Sequence, residues 1–129
     1  MSKILVVDDQ LGIRCLFIEI LKEDHEVEVA ANGSEAFRLL ISFKPDLILL
    51  DMKMPGMNGI ETLEQIRAVD CRVAVIMMSS YGNSWDLKQV KDLGILYYMV
   101  KPFDLFELRE RVREMLNSHE VITKRSLCS

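Results

Sequence analysis

An α/β fold built on an open parallel sheet is predicted by three features of this 129-residue chain. Apolar runs and amphipathic stretches alternate five times, the pattern of strands joined by crossover helices. The strongest runs, ILVV (4–7), LILL (47–50) and VAVIMM (73–78), are near-continuous rather than alternating, as in strands buried on both faces. Charged or hydroxyl residues then follow the runs directly: Asp8 and Asp9, Asp51, Ser79, and Lys101. Open α/β sheets place their ligand sites outside the carboxyl ends of the strands, so these residues are predicted to share one cleft.

Residues 3–8 read as the first strand, and 11–22 as a helix with Ile13, Leu16, Phe17, Ile20 and Leu21 at helical spacing. The segment EVEVA (26–30) alternates charge and apolar residues, as a half-exposed edge strand does. Asn32-Gly33 signals a turn, and Ser34 is the expected N-cap of a helix through Ser42 with Ala36, Leu39 and Leu40 buried. DLILLD (46–51) is the most apolar strand and is expected at the centre. MKMPGMN (52–58) reads as a loop and 59–68 as a helix. VAVIMMS (73–79) is the fourth strand. Ser84 opens an expected helix to about Leu93, with Gly94 at its C-terminal position. Residues 96–101 form the fifth strand, and Asp104 with Glu107 reads as a capping box for a last helix ending near Asn117. Residues 1–117 are thus one expected domain, and 118–129 an expected loose tail.

Half of the residues are hydrophobic, enough to fill the core of a domain this size without disulfides or a structural metal. The net charge of −4 gives no basic face for nucleic acid, so no direct nucleic-acid contact is expected. The three cysteines, Cys15, Cys71 and Cys128, are odd in number and far apart, which fits reduced thiols. Cys15 is expected as a small buried hydrophobe. With no leader-like segment and no span-length apolar run, the expectation is a cytoplasmic protein without membrane contact.

The clustered residues carry the chemistry. Asp8, Asp9 and Asp51 repel one another unless a cation lies between them, and Mg2+ favours carboxylate oxygens together with water and phosphate. A carboxylate can attack phosphorus to form an aspartyl phosphate. The transferred group then needs positive charge and donors around its oxygens, which Lys101 and the Ser79 hydroxyl can supply. Taken singly, each residue also has a plainer role: Asp8-Asp9 as a solvated strand end, Asp51 as a turn residue before Pro55, Tyr98 and Phe103 as core or rim aromatics. Met52, Met54 and Met57 fit loop packing better than a soft-metal site beside carboxylates.

DD at 8–9, DMKMPGMNG at 51–59, SSYG at 79–82 and KPF at 101–103 together resemble the signature of bacterial response-regulator receiver domains, in order, over residues 3–117. The resemblance implies a doubly wound, flavodoxin-like (βα)5 fold with a five-stranded parallel sheet in order 2-1-3-4-5 flanked by helices. It implies Asp51 as phosphoacceptor, with Asp8, Asp9, Asp51 and the backbone carbonyl of Lys53 around Mg2+, for which Mn2+ or Ca2+ could substitute. It also implies Ser79 and Tyr98 as switch residues and Lys101 as the phosphate-binding cation.

Within that family, VDDQ (7–10), GIR (12–14), AANG (30–33), PDLILLDMKMPGMNGIE (45–61) and KPFD (101–104) resemble the stand-alone regulators of the sporulation phosphorelay. Such a regulator takes its phosphoryl group from a sensor histidine kinase and passes it to a histidine phosphotransferase; an aspartyl-phosphate phosphatase is a further implied partner. Ser79 in place of Thr and Tyr98 in place of His depart from that subgroup. The expected docking surface comprises Gln10, Gly12, Ile13 and Arg14 with Pro55, Tyr81, Pro102 and Phe103. Lys53 and Tyr81 are bulky enough to crowd hydrolytic water, so a long-lived phosphoryl group is expected. No output domain is expected after residue 117. The rivals are a chemotaxis-like receiver acting by phosphorylation-dependent binding, the receiver of a longer transcription regulator, and a Mg2+-dependent phosphatase. Against the last, the place two residues after the nucleophile, where an aspartyl phosphatase carries a second acid, holds Lys53.

Overall fold

Five parallel strands form the centre of the computed structural model, which describes residues 2–54, 57–70, 72–80, 94, 97–101 and 104–125. Backbone alone is described at 53–54, 57–58, 80, 97–98, 100–101 and 118–125. The strands are β1 (Ser2–Val7), β2 (His25–Ala30), β3 (Leu47–Asp51), β6 (Ala74–Ser80) and β7 (Tyr97–Lys101). They pair in the order β2-β1-β3-β6-β7, which is 2-1-3-4-5 when only sheet strands are counted. Between Asp51 and the next helix, the expected loop contains a two-residue antiparallel ladder, β4 (Lys53–Met54) with β5 (Met57–Asn58).

Neighbouring residues of a strand point to opposite faces, and both faces here are covered. Leu5, Val7, Ile48, Leu50, Val75 and Met77 share one core with Ala36 and Leu40 of α2 (Gly33–Ser42) and Leu63 and Ile66 of α3 (Gly59–Val69). Ile4, Val6, Leu47, Leu49, Ile76 and Met78 share the other with Phe17 and Leu21 of α1 (Leu11–Leu21) and Leu108 and Val112 of the C-terminal helix (Leu105–Arg125). Each fully buried aliphatic side chain contributes about 1.5–3 kcal/mol of transfer free energy. Alternate residues of β1, β3 and β6 supply both layers, so a one-residue slip of register would exchange the two cores.

Several local expectations are corrected. The N-cap of α2 is Asn32, not Ser34: its side chain accepts the Glu35 N–H at 2.9 Å, while Glu35 Oε1 accepts the Ala31 N–H at 2.7 Å. Asn and Ser are near-equal caps, and the Asn32-Gly33 turn settles which one is used. Cys15 is exposed rather than buried, and Leu16 is 39% exposed. The inward stripe of α1 runs through Ile13, Phe17, Ile20 and Leu21, which places position 15 on the opposite side. The last helix continues through Arg125, past the expected end at Asn117. Asp104 caps its start, accepting the Phe106 N–H at 2.7 Å. The helix expected over 84–93 lies outside the described residues. Gly94 is described, and its φ of 76° is the left-handed conformation expected of a residue closing a helix.

Candidate functional site

The register of the sheet brings the singled-out residues to one rim. Val7 pairs with Leu50, so the chain positions that follow, Asp8 and Asp51, emerge side by side at the carboxyl ends of β1 and β3. Asp51 pairs with Met78, so Ser79 stands one residue further along the neighbouring strand. Ser79 in turn pairs with Val100 and Ser80 with Lys101, which puts the backbone of Lys101 at the same edge.

Carboxylate oxygens of Asp8, Asp9 and Asp51 all lie within 4.8 Å of one another. Asp8 and Asp51 are buried and Asp9 is exposed, so the group opens to solvent on one side. Ser79 is fully buried. Three carboxylates this close offer hard oxygen donors and share a repulsion that a divalent cation offsets, so the donor set fits Mg2+. Met52, which follows Asp51, is tied to β6 through its N–H, donated to the Met78 carbonyl at 3.0 Å. Gly59 lies against it: a Cβ there would come within 2.8 Å of Met52 Cα and O. The absence of a side chain at 59 therefore fixes the path of the chain just past Asp51.

The strand end that carries Asp8 is fastened at three atoms. Its N–H donates to the Ala30 carbonyl at 3.0 Å, its Oδ1 accepts the Gln10 N–H at 2.9 Å, and its carbonyl accepts Arg14 Nη1 at 2.8 Å. The link from Arg14 has no sequence signal, because it joins a helix side chain to the backbone of a strand end six residues earlier. On α1, Gln10 is the N-cap, Leu11 is 66% exposed, and a Cβ on Gly12 would meet no heavy atom within 4 Å. Ile13, by contrast, packs partly into the core.

Lys53 is placed by its backbone, paired with Asn58, and Tyr98 by its pairing with Met77. Pro55, Tyr81, Pro102 and Phe103 lie outside the described residues. Two further connections carry no sequence signal. Arg67 of α3 donates to the carbonyls of Val73 and Gly94, and Arg109 of the C-terminal helix pairs with Asp24 at 2.9 Å. The second joins the turn before β2 to that helix at the surface.

The response regulator receiver domain family model matches residues 4–113. The chain is 45% identical over 116 residues to sporulation initiation phosphotransferase F of Bacillus subtilis, covering 89% of this chain and 94% of that protein. It is 32% identical to chemotaxis protein CheY of Halobacterium salinarum, covering 91% and 98%. Among solved structures, a CheY-like response regulator receiver domain protein from Methanospirillum hungatei superposes with a TM-score of 0.87 at 30% identity, covering 93% of this chain and 97% of that one.

Proposed function

The chain belongs to the response regulator receiver domain family, and from that premise we propose that it relays a phosphoryl group from one histidine to another through Asp51. The observation that carries the reading is the convergence of the Asp8, Asp9 and Asp51 oxygens within 4.8 Å at a strand-end rim. The 45% identity to a sporulation phosphotransferase over nearly the full length of both proteins supports the relay role.

In the forward step a carboxylate oxygen of Asp51 attacks phosphorus on a phosphohistidine of a sensor kinase. The P–O bond forms, the P–N bond breaks, and the imidazole leaves as a neutral ring after taking up a proton. In the onward step a nitrogen of a histidine phosphotransferase attacks the same phosphorus, and the Asp51 carboxylate is restored. Asp8, Asp9, Asp51 and the Lys53 carbonyl are the residues that would hold Mg2+. When bound, that ion offsets the charge of the carboxylates and of the incoming phosphoryl oxygens. Ser79 donates its hydroxyl to a phosphoryl oxygen and Lys101 supplies an ammonium. That contact draws Ser79 toward the group and shifts Tyr98, biasing a balance of two states.

The partner docks on the start of α1, at Gln10, Gly12, Ile13 and Arg14, of which Gln10 and Gly12 are exposed and Ile13 and Arg14 half-buried. Pro55, Tyr81, Pro102 and Phe103 are further residues proposed for partner contact, and an aspartyl-phosphate phosphatase would use the same approach. A second reading, a receiver that signals by binding a target when phosphorylated, is favoured by the full-length match to CheY. Passage of label from the phosphoprotein to a histidine phosphotransferase separates the two.

The direct test is incubation with acetyl phosphate and Mg2+, followed by intact-mass measurement. The parent protein gains one phosphoryl group, and Asp51→Asn gains none. A parent that stays unmodified removes the proposal.

A further inference from the structure

We propose that Arg14 is a positioning residue for the acidic site, holding the peptide of Asp8 so that the three carboxylates keep their spacing for a divalent cation. The inference rests on the metal-dependent reading above and adds a determinant that lies outside the donor set.

Arg14 sits in the first turns of α1 and its Nη1 donates to the Asp8 carbonyl at 2.8 Å, while its own backbone N–H continues the helix to the Gln10 carbonyl at 3.1 Å. One residue thus ties the helix to the strand end it follows. Gln10, the N-cap, makes no side-chain capping bond, and the first turn of α1 carries no acidic residue. The Asp8 carboxylate already accepts the Gln10 N–H, so rotation of the Asp8 peptide would move both its carboxylate and the neighbouring Asp9. Arg14 is half-buried, which shields its bond from competing water. Asp8 itself is fully buried, so its carbonyl would lose a sheltered partner if Arg14 were removed.

Two physical effects of Arg14 on cation binding oppose each other, and their signs decide the matter. As a nearby positive charge it disfavours a second cation, so its removal would tighten Mg2+ binding. As a geometric tie it favours binding, so its removal would weaken it. Outer partners that orient metal ligands are commonly worth about 10–100-fold in affinity.

The test is calorimetric titration of the unphosphorylated full chain with Mg2+, alongside urea unfolding in EDTA. Arg14→Met should weaken Mg2+ binding by about tenfold, and Arg14→Lys, which keeps a donor and the charge, should recover most of the loss. Arg14→Gln repeats the comparison if methionine upsets the fold in EDTA. Folded Met and Gln variants that bind Mg2+ as tightly as the parent, or more tightly, would overturn the inference while leaving the site intact. A parent that binds no Mg2+ would overturn the site and the inference together.

Discussion

Gly59 shows how a residue with no side chain governs the chemistry of its neighbour. A Cβ at this position would press on the backbone of Met52 at 2.8 Å, and Met52 cannot retreat freely because its N–H is bonded to Met78. Gly59→Ala should therefore cost about 1–3 kcal/mol, as overpacking does. Since the displacement falls on the residue after Asp51, phosphorylation by acetyl phosphate should slow as well. Urea denaturation and the initial rate of label uptake check both effects, and an alanine variant equal to the parent in each would contradict the account. Single residues were the most legible scale where they bear charge at a strand end. Asp8, Asp9, Asp51 and Ser79 stand where the apolar runs said they would, because strand length and a carboxyl-end site follow from pattern alone. The bonds made by Arg14, Arg67 and Arg109 were not legible. Each bonds to a group brought near only by the fold, and a basic residue on an amphipathic helix otherwise reads as solvated surface.

At the level of elements, the bounds of the first three helices were legible to within a turn, but the end of the last helix was not. Asn32 displaced Ser34 as a cap, and the last helix outran its expected stop, since competing local signals of similar strength are resolved by packing. The end of α2 carries a strained residue. Lys44 has a φ of 54°, a left-handed conformation that costs an L-residue about 1–2 kcal/mol. Lys44→Gly removes that strain but adds about 0.5–1 kcal/mol of unfolded-chain entropy, so a net gain of about 0.5–1 kcal/mol is expected. A lower urea midpoint in the glycine variant would show that the conformation is not costly.

The start of β2 adds a pH dependence. Burial, opposed by nearby Asp24, holds His25 below its ordinary value of 6.5. The unfolded chain therefore binds the proton more readily than the folded one. This stabilising contribution is complete above about pH 6.5 and is lost as pH falls through the lower folded value. Arg109 lowers the neighbouring Asp24 carboxyl, and that contribution fades only at more acidic pH. Urea midpoints should thus fall between pH 7.5 and 5.5 in the parent and fall less in His25→Gln. Parallel slopes in the two proteins would assign the effect elsewhere.

Across the whole molecule, the sheet order separates structure from chemistry. Two apolar layers bury both faces of β1, β3 and β6, and the acids are left at the one rim where those strands stop. The topology was legible because buried parallel strands and amphipathic crossovers leave few alternatives, and the order followed from family resemblance. Among the described residues no helix is long and apolar enough to cross a membrane. The central claim is that this rim makes Asp51 a metal-dependent nucleophile. The most direct measurement is borohydride reduction of protein treated with acetyl phosphate, with and without Mg2+, followed by peptide mapping. Reduction converts an aspartyl phosphate to homoserine, and the account predicts homoserine at position 51 alone and only when Mg2+ was present. Homoserine elsewhere, or none at 51 with the metal supplied, would contradict it.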